Sequence, residues 1–240
     1  MCGNDGKMKF ATLNIDWAEK YKYAKHSKEV EQFIDQQDFD FLVLTEAIEL
    51  NLKSFKYKYF SDQIPVHTIY EGLNYTDYLK GEAAFRTIIY SKIPCVKRYN
   101  VNDGKTSLAL EFETYLGNII IYATIIGTWF KKQPFAKKEL ENCIEDCEKI
   151  YTLNKNLIIV GDLNTSFLES EKQYSINSET TELLKNLFER CNLENTTDKL
   201  EKNIDHIIIP KHFLTNLIES KVFVEKGILS DHKGIVITLK

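Results

Sequence analysis

The sequence predicts an α/β protein of mixed sheets layered with helices, and three observations predict it. Strand-sized runs of apolar, largely β-branched residues recur along the 240 residues, as in strands covered on both faces. Between them lie segments whose apolar residues keep the i, i+3, i+4 spacing of an amphipathic helix. No internal repeat or linker breaks the order, so residues 1–240 read as one domain.

Taken in order, Met8 to Ile15 reads as a strand and Ser27 to Gln37 as a helix with Val30, Phe33 and Ile34 on one face. The apolar strand Phe41 to Leu44 follows, and "FKYKYF" at 55–60 alternates like an edge or core strand. Further strands are expected near Ala84 to Tyr90 and Ser107 to Phe112, with a buried run, "NIIIYATII", at 118–126. Leu140, Cys143, Ile144, Cys147, Ile150 and Tyr151 then mark a helix, and Ile158 to Val160 a central strand. A second helix carries Leu183, Leu184, Leu187, Phe188 and Cys191. A strand at 204–209 and two strands around Leu229 to Lys233 complete the pattern.

Composition bounds the function. Hydrophobic residues make up 43% and charged residues 28%, with no apolar stretch approaching a membrane span, which reads as a soluble globule. The amino terminus "MCGNDGKMKF" lacks the apolar core of a secretory signal, although a chain trimmed of its signal would look the same. Five cysteines without paired metal spacing, two of them on a helix stripe, favour buried thiols and a reducing, cytoplasmic setting. A net charge of −4 argues against a surface coated with basic patches for duplex nucleic acid; a metal ion would have to supply positive charge locally. Only Arg86, Arg98 and Arg190 among the 31 basic residues are arginines, a bias that fits an AT-rich genome.

Polar residues gather at the ends of the apolar strands. "ATLNID" presents Asn14 and Asp16, "FLVLTEA" presents Glu46, "IIVGDLN" presents Asp162 and Asn164, "NIDHIII" begins at Asp205, and "LSDH" places Asp231 and His232 before the last strand. Each has a bland reading: Asp162 and Asn164 as an Asx-type turn, Asp205 and His232 as a structural pair, Asp231 as a turn cap. In a layered α/β protein, however, strand ends converge on one rim, where such carboxylates form one pocket. Bare, the cluster would repel itself. A hard divalent cation resolves the repulsion, and Mg²⁺ takes few carboxylates while leaving positions for water and phosphate, which points to phosphate ester chemistry.

In this order and spanning residues 8 to 239, the motifs "ATLNID", "FLVLTEA", "IIYSKIP", "IIVGDLN", "NIDHIII" and "LSDH" resemble the exonuclease/endonuclease/phosphatase superfamily. That group includes deoxyribonuclease I, apurinic/apyrimidinic endonucleases, sphingomyelinases and inositol polyphosphate phosphatases. The resemblance implies a four-layer α/β/β/α sandwich of two packed mixed sheets flanked by helices, one site on the rim, and phosphoester hydrolysis dependent on Mg²⁺ or Mn²⁺. It implies Glu46 as principal metal ligand, with Asp231 sharing or polarising that site and Asp16 a lesser member. Asp162 would orient or deprotonate the attacking water, and Asn164 and Asn14 would fix it and a phosphate oxygen. His232 would stabilise developing charge, its ring held by Asp205. His206 beside Asp205 faces the other way and is expected to pack.

The chain departs from that family at two places. Relatives often carry a histidine at the end of the strand written "IIIYATII", where this chain is expected to offer Thr124. Arg86 would replace the lost positive charge if it faces the pocket; a surface salt bridge is the alternative. The loop "GTWFKKQPFAKK" at 127–138 sets Trp129 and Phe130 beside Lys131 and Lys132. It reads either as a stacking, phosphate-meeting contact for nucleic acid or as a hydrophobic lid. The stretch from Asn192 to Lys202 is short where relatives have longer substrate loops. The expectation is a nuclease-like phosphodiesterase acting on DNA or RNA, with no obligate protein partner. The alternatives are a phosphomonoesterase for a small phosphorylated molecule or lipid headgroup, and a catalytically weak binding module that kept the fold.

Overall fold

The structure, a computed structural model, describes residues 6–16, 24–63, 69–70, 73–74, 84–127, 135–176 and 178–240. Its strands are β1 (Met8–Asn14), β2 (Phe41–Ile48), β3 (Tyr57–Phe60), β4 (Ile69–Tyr70), β5 (Leu73–Asn74), β6 (Ala84–Ser91) and β7 (Cys95–Tyr99). They continue with β8 (Ser107–Thr114), β9 (Gly117–Ile125), β10 (Leu157–Asp162), β11 (Leu193–Asn195), β12 (Asp205–Pro210), β13 (Leu217–Val224) and β14 (Gly234–Leu239). Three α-helices are described: α1 (Ala24–Asp35), α2 (Phe135–Leu153) and α3 (Ser178–Arg190).

Two six-stranded sheets carry the fold, one in the order β13-β14-β1-β2-β6-β3 and the other β11-β12-β10-β9-β8-β7; β4 and β5 pair apart. Both are mixed. In the first sheet β1 runs parallel to β2 and antiparallel to β14; in the second β10 runs parallel to β9 and antiparallel to β12. Alternation along each strand decides the layering. Phe10, Phe41, Val43, Ile121, Val160, Ile207 and Ile237 face one another between the sheets, with Phe10 stacked on Phe41 at 5.0 Å. The opposite face of the first sheet packs Leu13, Leu42 and Leu44 against Val30 and Ile34 of α1. The opposite face of the second packs Ile120, Tyr122, Ile159 and Ile208 against α2 and α3. The result is the four-layer α/β/β/α sandwich the resemblance implies.

Cys143, Cys147 and Cys191 are buried free thiols beneath the helices, as the helix spacing predicts. Some boundaries differ from the sequence reading. The first helix spans Ala24–Asp35, shifted toward the amino terminus, and the two strands expected around Leu229 to Lys233 lie to either side of that segment as β13 and β14. Strands β7 and β11 lack a sequence signal because both are edge strands: β7 exposes Lys97 and Arg98, which protect an open edge, and β11 is three residues long.

Candidate active site

Asp162 ends β10 where Gly161 turns the chain. Gly161 sits at φ +140°, and a Cβ there would strike the Thr124 carbonyl oxygen on the neighbouring strand, so the position requires glycine. Asn164 follows in a left-handed conformation (φ +47°). Its backbone N–H donates to Asp162 Oδ1 at 2.8 Å, and its Nδ2 donates to the Ile126 carbonyl at 2.8 Å and to Asp162 Oδ2 at 3.2 Å. From the facing sheet, Asn14 Nδ2 donates to Asp162 Oδ2 at 2.9 Å while Asn14 Oδ1 accepts the Asp16 N–H at 2.8 Å. The Asx turn is therefore real, and it aims one carboxylate held from both sheets.

Asp205 opens β12 directly opposite Asp162 in the antiparallel register. His232 Nδ1 lies 2.7 Å from Asp205 Oδ2, and His232 Nε2 lies 3.8 Å from Asp231 Oδ1. Burial, then the neighbouring Asp205 charge, lifts the Asp162 carboxyl above the ordinary carboxylate range, while His232 and Asn14 offset part of the rise. Burial alone would lower the His232 pKa, but the charges of Asp205 and Asp162 outweigh it and hold the imidazole up to about 10. The ring is thus a cation at neutral pH, donating Nδ1–H to Asp205. Ligand atoms of Asp162, Asp205 and His232 all lie within 4.8 Å of one another.

Glu46 occupies a kink in β2. It adopts φ +44°, and the β2–β6 pairing passes from Thr45↔Thr87 to Ala47↔Phe85 without joining Glu46 to Arg86. Burial above all, with the charges of Asp16 and Asp231, raises its carboxyl to about 7, against the opposing effects of the His232 charge and a hydrogen bond from Asn14. Asn14 therefore touches both Glu46 and Asp162. Of five non-glycine residues with positive φ among the described ones, three are Asp16, Glu46 and Asn164. Backbone strain is concentrated on this rim, as it often is at functional sites.

The rim carries donors of the kind a divalent cation takes: the charges of Asp16 and Asp231 add to the burial that opposes ionisation of Glu46, which a hard cation would relieve, while among the described residues the group of ligand atoms that converges is Asp162, Asp205 and His232. Asp205 Oδ1 is buried with no hydrogen-bond partner among the described residues, which makes the Asp162–Asp205–His232 set a second position for positive charge.

Two expected substrate contacts are corrected. Thr124 is fully buried and its hydroxyl bonds Ser107 Oγ at 2.8 Å, on the same strand face as Tyr122 and so toward α2. Alternation gives the inward position to Ile125, which stands beside Asp162 in the parallel register, so an apolar residue occupies the end of this strand. Arg86 is also buried, its guanidinium 3.0 Å from Glu139 on α2; the ion pair is neither on the surface nor a solvent-facing phosphate fork. Trp129, Lys131 and Lys132 lie outside the described residues. His206 packs as expected: Nε2–H donates to the Thr165 carbonyl at 2.8 Å, Asn195 and Thr197 approach Nδ1, and burial lowers its pKa to about 4. The sequence reading missed what holds the turn down, namely this bond and the Leu163 N–H to the Ile204 carbonyl at 3.0 Å. Both join residues about 40 positions apart and leave no local pattern.

Neither a protein-family model nor a curated protein sequence matches the chain. Solved structures do. The 3′ phosphatase NExo from Neisseria, bound to product DNA hairpin, aligns with a TM-score of 0.69 at 13% identity over 97% of this chain and 99% of that one. An endonuclease/exonuclease/phosphatase from Beutenbergia cavernae aligns at 0.63 and 17% identity, over 98% of this chain and 71% of that one. The endonuclease domain of a telomere-specific non-LTR retrotransposon aligns at 0.62 and 13% identity, over 98% of each. With its two packed sheets, flanking helices and rim of carboxylates, the chain has the fold of the endonuclease/exonuclease/phosphatase superfamily.

Proposed function

We propose that the protein is a divalent-metal-dependent phosphodiester hydrolase acting on nucleic acid. The observation that carries this reading is the cross-sheet constellation in which Asn14 ties Asp162 to Glu46 beside the Asp205–His232 pair. A buried carboxylate with a raised pKa suits a general base near neutral pH, and an imidazole held toward its protonated form by Asp205 suits an accumulating phosphorane charge. NExo, named a 3′ phosphatase and seen with a DNA hairpin, supports nucleic acid as the substrate class.

A cation held by Glu46, with Asp231 and Asp16 beside it, would supply polarisation of a phosphate oxygen. We assign it there because His232 already gives Asp205 and Asp162 a positive partner. Asp162 takes a proton from the attacking water as the new P–O bond forms. Asn164 and Asn14 fix the base through bonds to both its oxygens. His232, oriented by Asp205, donates Nε2–H to a non-bridging oxygen while the P–O bond to the leaving alcohol breaks, and solvent returns the proton that alcohol needs.

The test is a panel of DNA and RNA oligonucleotides, soluble phosphomonoesters and phospholipids, assayed with Mg²⁺, with Mn²⁺ and with excess chelator. Hydrolysis of nucleic acid that chelator abolishes and Mg²⁺ restores is expected. Full activity in chelator refutes the metal assignment, and efficient monoester cleavage without nuclease activity at low salt refutes the substrate class.

A further inference from the structure

We infer that Glu171, which lies outside the catalytic set, is a positioning residue that locks together the three chain segments bearing Asp162, Asp205 and His232. Glu171 belongs to the short 3-10 stretch Glu169–Tyr174, where its own backbone leaves helical geometry (φ −121°, ψ 26°). That kink turns a carboxylate inward to 8% exposure. A buried carboxylate needs donors, and here they come from two different segments. Both oxygens accept the Lys202 N–H, each at 2.8 Å, and Oε2 accepts Ser166 Oγ–H at 2.9 Å.

Each partner leads to the site. Ser166 lies two residues beyond Asn164 in the turn that aims Asp162. Lys202 lies three residues before Asp205, in a left-handed conformation (φ +50°) that its side chain does not favour and that the bonded N–H stabilises. The intervening Asn203 donates Nδ2–H to the Asp205 carbonyl at 2.5 Å, so the register of Asp205 depends on this loop. From the other side, Lys233, next to His232, donates its ammonium to the Glu201 carbonyl at 3.0 Å and pairs with Glu225 at 3.5 Å. Residues 201–203 are therefore a hub: Glu171 fastens it to the Asp162 turn and Lys233 fastens it to the His232 segment. Loss of the carboxylate would free the hub and loosen the 2.7 Å contact between Asp205 and His232.

The activity arm rests on the phosphodiesterase reading; the exchange arm does not. Glu171→Gln keeps the size and one acceptor, whereas Glu171→Ala removes both. On an oligonucleotide with Mg²⁺, Glu171→Ala is expected to lower kcat about ten- to a hundredfold with KM changed less than about threefold, as misplacement of reacting groups does, and Glu171→Gln to recover part of the loss. Lys233→Met should lower kcat too, and the double variant should fall short of the product of the two losses, because both act through one loop. Hydrogen–deuterium exchange on the same folded variants should quicken at 199–205 and also at 229–233, which Glu171 does not touch. Unchanged kcat in Glu171→Ala, or faster exchange at 199–205 with 229–233 unaffected, overturns the proposal. If the wild type hydrolyses nothing in the panel, the functional reading fails and the exchange arm alone decides the coupling.

Discussion

At the scale of single residues, the site is defined by what each side chain is prevented from doing. Asp162 is buried opposite a second carboxylate, which opposes its ionisation, and it accepts hydrogen bonds at both oxygens, which fix its orientation. Asp162→Asn keeps the size and removes the base; kcat should fall at least about a hundredfold with the melting temperature essentially unchanged. A near-normal kcat would place the base elsewhere. Gly161→Ala makes the opposite kind of prediction. A methyl group directed at the Thr124 carbonyl, on a backbone at φ +140°, should destabilise the fold by at least about 2 kcal/mol in urea denaturation, because neither strand can retreat without breaking the β9–β10 ladder.

At the scale of elements, the Arg86–Glu139 pair joins a strand of the first sheet to the helix lying over the second. Its two charges are almost wholly buried, so removing one takes a close opposite charge from the other in a medium that solvates it poorly. Arg86→Met should lower stability by about 3 kcal/mol or more by denaturant titration, with activity on a small phosphodiester retained in the molecules that remain folded. A phosphate-gripping arginine would show the reverse pattern, a raised KM at normal stability. The same scale explains which elements the sequence reveals. Strands β1, β2, β9, β10 and β12 are buried on both faces and read as apolar runs. Strands β7 and β11 close the open edge or end of a sheet, where selection favours charge and brevity over apolar pattern.

At the scale of the whole molecule, the rim stores electrostatic strain that a cation would release. Glu46 is raised from 4.5 to about 7, so its favourable contribution to folding is complete below about 4.5 and lost as pH rises through about 7. His232 is raised from 6.5 to about 10, so its contribution is complete below about 6.5 and lost as pH rises through about 10. Metal-free protein should therefore lose thermal stability steadily from mildly acidic to alkaline pH. Because a cation binds the ionised carboxylate, Mg²⁺ should raise the melting temperature more at about pH 8 than at about pH 5.5. An equal shift at both pH values, measured by scanning calorimetry, would mean that Glu46 is not the ligand.

The sequence by itself determined the order of the buried strands and of the helices, the pairing of Asp162 with Asn164, and the candidacy of Glu46, Asp205, Asp231 and His232, because those signals are local: apolar runs, Gly before Asp, charge at a strand end. Only the tertiary structure decided which faces meet. A one-residue step along β9 exchanges Thr124 for Ile125 beside Asp162, since side chains alternate across a strand. No local pattern could pair Arg86 with Glu139 or bring Asn14 onto Asp162 across 148 positions, because those contacts exist only after the two sheets have packed.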